Sequence, residues 1–110
     1  MKKYITIRKS NENYIKLKFS EILFVKAAGD YIEIYTIDKS NITKHFIHLT
    51  LAAIEVLLDE RFFRCHRSYI INCDFVYSME NSKCVFGEYE IPVSDSSKNE
   101  MLVRLNYIHK

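Results

Sequence analysis

Between Arg61 and Phe75 the chain reads RFFRCHRSYIINCDF, with Arg61, Arg64 and Arg67 at intervals of three and His66 and Ser68 among them. A guanidinium is a planar fork of donors that fits phosphate oxygens or the guanine edge, so Arg64, Arg67 and Ser68 are candidates for phosphate and base contact. On composition alone the ordinary reading is a solvated hairpin end, with His66 a packed strand residue, Tyr69 structural and Asn72 a turn former. Asp30 and Tyr31 follow the Gly29 turn. There Asp is a routine turn former, yet a carboxylate can also accept from the cytosine amino group in the major groove. Ser94, Asp95, Ser96, Ser97 and Lys98 stand at an expected helix start, where hydroxyls and backbone N–H groups can hold a phosphate. The plainer reading is that Asp95 supports the helix start electrostatically, with Lys98 the nearest cation. Lys26, Lys44 and Lys16 would neutralise phosphates if they share a face, although scattered lysines are ordinarily solvated.

Other chemistries find little support. The four histidines and three cysteines show no CxxC or HxxxH spacing, so no metal site is expected. Cys65 and His66 are adjacent, and in an extended strand their side chains diverge, which excludes a nucleophile–base pair. No glycine-rich phosphate loop and no nucleophile elbow occurs, so neither an enzyme nor a bound cofactor or small-molecule substrate is expected. Cys65, Cys73 and Cys84 form an odd set at unrelated spacings, which points to reduced thiols in a cytoplasmic protein. No apolar run approaches the length of a membrane span. The formal charge of +2 is mild and says nothing about how charge is distributed.

These residues need a scaffold, and the pattern predicts a mainly β one. At 110 residues, with 48% apolar content, the chain is expected to be a single domain over 1–110 with one core. Alternation predicts a hairpin from Tyr4–Arg8 and Tyr14–Phe19, with Lys16 and Lys18 outward. It predicts further strands at Ile22–Ala28, Tyr31–Thr36 and Ile42–Ile47, with Ile32 and Ile34 inward and Tyr31, Glu33 and Tyr35 on the other face. Thr50 is a candidate N-cap for a short helix whose stripe is Leu51, Ile54, Leu57 and Leu58. Phe62 and Phe63 then anchor an exposed turn from Arg64 to Ser68, followed by a buried strand from Tyr69 to Asn72. Phe75–Ser78, Lys83–Phe86 and Tyr89–Val93 are strand candidates, and Ser94 is expected to cap a last helix on Met101, Leu102, Leu105 and Ile108.

The run Phe62-Phe63-Arg64-Cys65-His66-Arg67-Ser68-Tyr69-Ile70-Ile71-Asn72 resembles the hallmark of LytTR-type DNA-binding domains, the output modules of many bacterial response regulators. Ile22 to Tyr31, Thr50-Leu51 and Ile91-Pro92-Val93-Ser94 agree in order and spacing, so the likeness covers about 14–108. It implies an elongated arrangement of small antiparallel sheets with two short helices. It also implies sequence-specific binding of double-stranded DNA in transcriptional regulation, by a response-regulator output domain or a stand-alone regulator. Loops rather than a recognition helix would enter the grooves, with Arg67 the first contact, then the Asp30/Tyr31 turn and the segment from Ser94 to Lys98. Paired direct repeats, with self-association on DNA, are the expected target. The sequence departs from the family at Asp95 and Ser96, where Arg residues are usual. That departure and the mild charge keep open an alternative, a protein-interaction adaptor on the same fold.

Overall fold

A computed structural model describes residues 2–108, and the alternating runs of the sequence become its strands. Among these residues lie ten strands: β1 (Tyr4–Ser10), β2 (Asn13–Lys18), β3 (Ile22–Ala28), β4 (Tyr31–Asp38), β5 (Asn41–Ile47), β6 (Phe62–His66), β7 (Tyr69–Asn72), β8 (Met79–Glu80), β9 (Lys83–Phe86) and β10 (Tyr89–Pro92). Two helices accompany them, α1 (Leu51–Glu55) and α2 (Lys98–Arg104). The strands form the hairpin β1–β2, a five-stranded sheet in the order β5-β4-β3-β7-β6 and a three-stranded sheet in the order β10-β9-β8, all antiparallel. Extents of 53 × 30 × 29 Å make the molecule elongated, as expected of this mainly β chain.

The expectation of one core is corrected. The five-stranded sheet is covered on both faces, and each face carries its own apolar cluster. On one face the hairpin and α1 pack Ile5, Ile7, Leu17, Phe19 and Ile54 against Val25, Ile32, Ile34, Ile47 and Ile70. On the other, Cys84, Ile91, Val93 and Met101 pack against Phe24, Tyr35, Cys65 and Ile71. This is why β3 reads as an unbroken apolar run: a strand buried on both faces has no solvent side to alternate with. A bulge between Ile22 and Phe24 turns Leu23 and Phe24 to the same cluster. Tyr35 does point away from Ile34, but into the second cluster, 4.2 Å from the Phe24 ring in a stacked arrangement. Burial, with its hydrogen bond to Glu33 second, pushes the Tyr35 hydroxyl up to about 12.

Asn72 joins the layers. Fully buried, its amide donates to the carbonyls of Phe19 (3.2 Å) and Ile22 (2.9 Å), while its oxygen accepts from the Asp74 N–H (2.9 Å). No side-chain donor or acceptor is left over, which is what a buried amide requires. The reading of Asn72 as structural holds, and its role exceeds that of a turn former.

Three local expectations change. Thr50 does cap α1, accepting from the Ala53 N–H at 3.0 Å, but the helix ends at Glu55, so Leu57 falls beyond it and is 51% exposed. Phe75–Ser78 is not a strand: Asn72 caps a single 3₁₀ turn over Cys73–Phe75, and pairing resumes only at β8. Ser94 makes no side-chain cap, because a 3₁₀ turn at Asp95–Ser97 precedes α2. Met101 is fully buried beneath that helix, whereas Ile108 lies past its end and is 80% exposed.

Candidate nucleic-acid interface

The expected exposed turn from Arg64 to Ser68 is narrower than the sequence implied. β6 continues through His66, with a register shift after Phe63, because Cys65 is drawn fully into the second core. Only Arg67 and Ser68 turn the chain, and the turn is braced from three sides. Arg64 Nη2 donates to the Arg67 carbonyl (2.8 Å), and Arg64 Nη1 pairs with Glu55 of α1 (3.3 Å). The Ser68 N–H donates to His66 Nδ1 (3.1 Å), and the Ser68 carbonyl accepts from the Ala27 N–H (2.8 Å). Arg64 is thereby a strut of the turn. The Arg67 guanidinium is exposed and makes no ion pair or hydrogen bond within the described residues.

The loop after β10 is brought against this turn. The Ser94 N–H donates to the Cys65 carbonyl at 2.8 Å, and the Ser94 hydroxyl donates to Ser97 Oγ at 2.9 Å. α2 holds the loop in place through Met101 and through Arg104, whose guanidinium lies 4.8 Å from the Phe63 ring and donates to the Glu60 carbonyl at 2.9 Å. Between turn and loop lies an open cavity of about 320 Å³ lined by Arg64, His66, Arg67, Ser94, Ser96 and Ser97. Cationic and hydroxyl groups 27 or more residues apart in sequence share one concavity, a lining suited to an anionic oxygen.

The Gly29–Asp30 turn emerges at the same end of the sheet. Ala28 opposes Tyr31 across it, and the neighbouring strand places Lys26 opposite Tyr69. Gly29 adopts φ +64°, a conformation open to glycine at little cost. Asp30 is exposed and Tyr31 is 48% exposed, its ring 5.1 Å from that of His48. Register aligns His66, Tyr69, Lys26, Glu33 and Phe46 in one row across all five strands. Lys26 is therefore half-buried in a row that begins at the cavity. Lys44 is on the same face, its ammonium 5.5 Å from the Tyr35 ring. Lys16 is not: it lies on the hairpin that covers the opposite face, with its ammonium 4.0 Å from the Tyr4 ring. Asp95 and Lys98 are exposed beside the cavity without lining it.

Reasoning from sequence missed Glu55, the partner of Arg64, which nothing in its local pattern marks. It named Ser97 within the serine run without singling it out as a contact.

Among the described residues no group of three or more His, Cys, Asp or Glu could hold a metal ion. Burial pushes the Cys65 thiol up to about 12 and Cys84 to about 11, and raises Cys73, so all three stay protonated near neutrality. No helix of the described residues is long and apolar enough to cross a membrane.

Fold and surface together define a mainly β module that carries an exposed guanidinium on the turn between β6 and β7, beside the serine loop that precedes α2. The chain belongs to the LytTr DNA-binding domain family, whose model matches residues 12–106. This is a family of DNA-binding domains. Four chains of known structure match. One, described as the LytTr DNA-binding domain of a methyl-accepting/DNA response regulator from Bacillus cereus, is 21% identical, covering 97% of this chain and 100% of its own, with a TM-score of 0.74. At that identity the likeness speaks for the fold. No curated protein matches the chain.

Proposed function

We propose that residues 1–110 form one cytoplasmic domain that binds double-stranded DNA sequence-specifically in transcriptional regulation. It does so as a response-regulator output domain or as a stand-alone regulator. The observation that carries this reading is the cavity where Arg64, His66 and Arg67 meet Ser94, Ser96 and Ser97 beside an unpaired guanidinium. Arg67 makes the principal contact, and Ser68, Ser94 and Ser96 offer hydroxyls near it. Lys26 and Lys98 supply charge that attracts phosphates. The Gly29–Asp30 turn reaches a neighbouring groove, where Asp30 accepts from a cytosine amino group and Tyr31 packs against the backbone. Two copies occupy paired direct repeats and associate on the DNA.

Salt titration of binding, first to mixed genomic DNA and then to a duplex selected from a random pool, tests the reading. Affinity should fall steeply with salt. Arg67→Ala should weaken binding roughly 10- to 100-fold and lower the salt slope by ~0.9, with the melting temperature unchanged. An unchanged affinity would refute the assignment of Arg67.

A second reading, a protein-interaction adaptor on this fold, is favoured by the exposed carboxylates of Asp30 and Asp95, which no cation pairs among the described residues. An adaptor would retain no DNA at low salt.

A further inference from the structure

The imidazole of His66 is held in one tautomer. Its Nδ1 lies 3.1 Å from the Ser68 backbone N–H, a group that can only donate, so Nδ1 is the acceptor and carries no proton. In the neutral ring the proton is therefore on Nε2. The ring is fixed further by the Tyr69 ring, edge-on at 5.8 Å between centroids. Nε2 itself has no hydrogen-bond partner within the described residues. No side-chain nitrogen or oxygen among these residues is both buried and unpartnered, so Nε2 reaches solvent. His66 also lines the cavity, with Arg64, Arg67, Ser94, Ser96 and Ser97. A neutral donor on a ring pinned by a backbone bond loses little freedom on engaging an acceptor. The surrounding donors select an anionic oxygen.

We propose that His66 is a direct DNA ligand whose Nε2–H donates to a phosphate oxygen seated in this cavity. This assignment rests on the DNA-binding reading above. It gives the motif histidine a second role beside the packing one. Toward Ser68 it organises the turn, and toward the cavity it binds.

The two roles separate experimentally. In His66→Asn the amide oxygen can still accept from the Ser68 N–H, but nothing replaces Nε2. The variant should melt near wild type and bind roughly tenfold more weakly, by about the same factor on selected and scrambled duplexes, because a phosphate contact carries no sequence information. Its salt slope should equal that of wild type, since a neutral donor displaces no counterion, in contrast to Arg67→Ala. Affinity within twofold of wild type would overturn the proposal. So would a loss confined to the selected duplex, or a lowered salt slope. Nitrogen-15 spectra of the wild-type imidazole give an answer that does not depend on the variant folding. The proton should be on Nε2 in the free protein, and the Nε2 resonance should shift when the selected duplex is added. A proton on Nδ1, or no shift, overturns the proposal while leaving DNA binding intact. Wild-type protein that retains no duplex at low salt overturns the DNA reading and this assignment with it.

Discussion

Two turns leave the same end of the central sheet, and they are built by opposite means. The Arg67–Ser68 turn is cross-braced by a guanidinium, an imidazole and a ladder bond from β3, and it presents an unpaired cation. The Gly29–Asp30 turn relies on one glycine at φ +64° and presents an unpaired carboxylate. One is held by side chains that pin its backbone; the other is held by its backbone conformation and the pairing of Ala28 with Tyr31. A contact that must be placed within a fraction of an ångström belongs on the first kind of turn, because preorganisation lowers the entropy lost on binding. The second kind can adapt to the duplex it meets.

The comparison can be broken at its common root. β7 and the entry to β3 are tied together by Asn72, and β3 leads into one turn while β7 leads out of the other. Asn72→Ala should cost about 3 kcal/mol in urea denaturation by removing the amide's bonds to the Phe19 and Ile22 carbonyls and opening a small cavity. A loss much below that would mean the turns are anchored elsewhere.

Arg64→Ala tests whether the bracing matters to binding. Losing the strut should weaken attachment to the selected duplex by about three- to tenfold through a looser Arg67, with little change in melting. Arg64→Lys should recover only part, because one ammonium cannot reproduce the two-armed reach to Glu55 and the Arg67 carbonyl. Full activity of the alanine variant would make the brace incidental.

Gly29→Ala sharpens the contrast from the other side. A Cβ at Gly29 meets nothing within 4 Å, so only backbone strain opposes it. The cost should be about 1 kcal/mol, seen as a melting temperature lower by roughly 4–8 °C, with DNA affinity nearly unchanged. A large loss of affinity would show that this turn, too, needs a fixed shape.

The strands were legible because alternation and turn chemistry agree. Gly29 sits at positive φ in the turn that its type marks, and Thr50 caps its helix as its type predicts. The second core was not legible from length. Tyr35 and Cys65 look like surface-facing residues until β9, β10 and α2 cover them. The brace that Arg64 makes was not legible for a related reason: nothing in the local pattern marks Glu55, nine residues earlier, which takes one arm while the turn carbonyl takes the other.

The sequence alone determined the β-rich class, the capped short helix, the family motif and the absence of recognisable catalytic spacing, because these follow from neighbours within a few residues. Only the tertiary structure decided that the serine loop faces the arginine turn, that Lys16 is on the wrong side of the sheet, and that His66 keeps one nitrogen for the backbone and leaves the other free. Such outcomes depend on which distant strands pair and which faces are buried. That pairing is settled by the joint packing of two cores, not by any local preference.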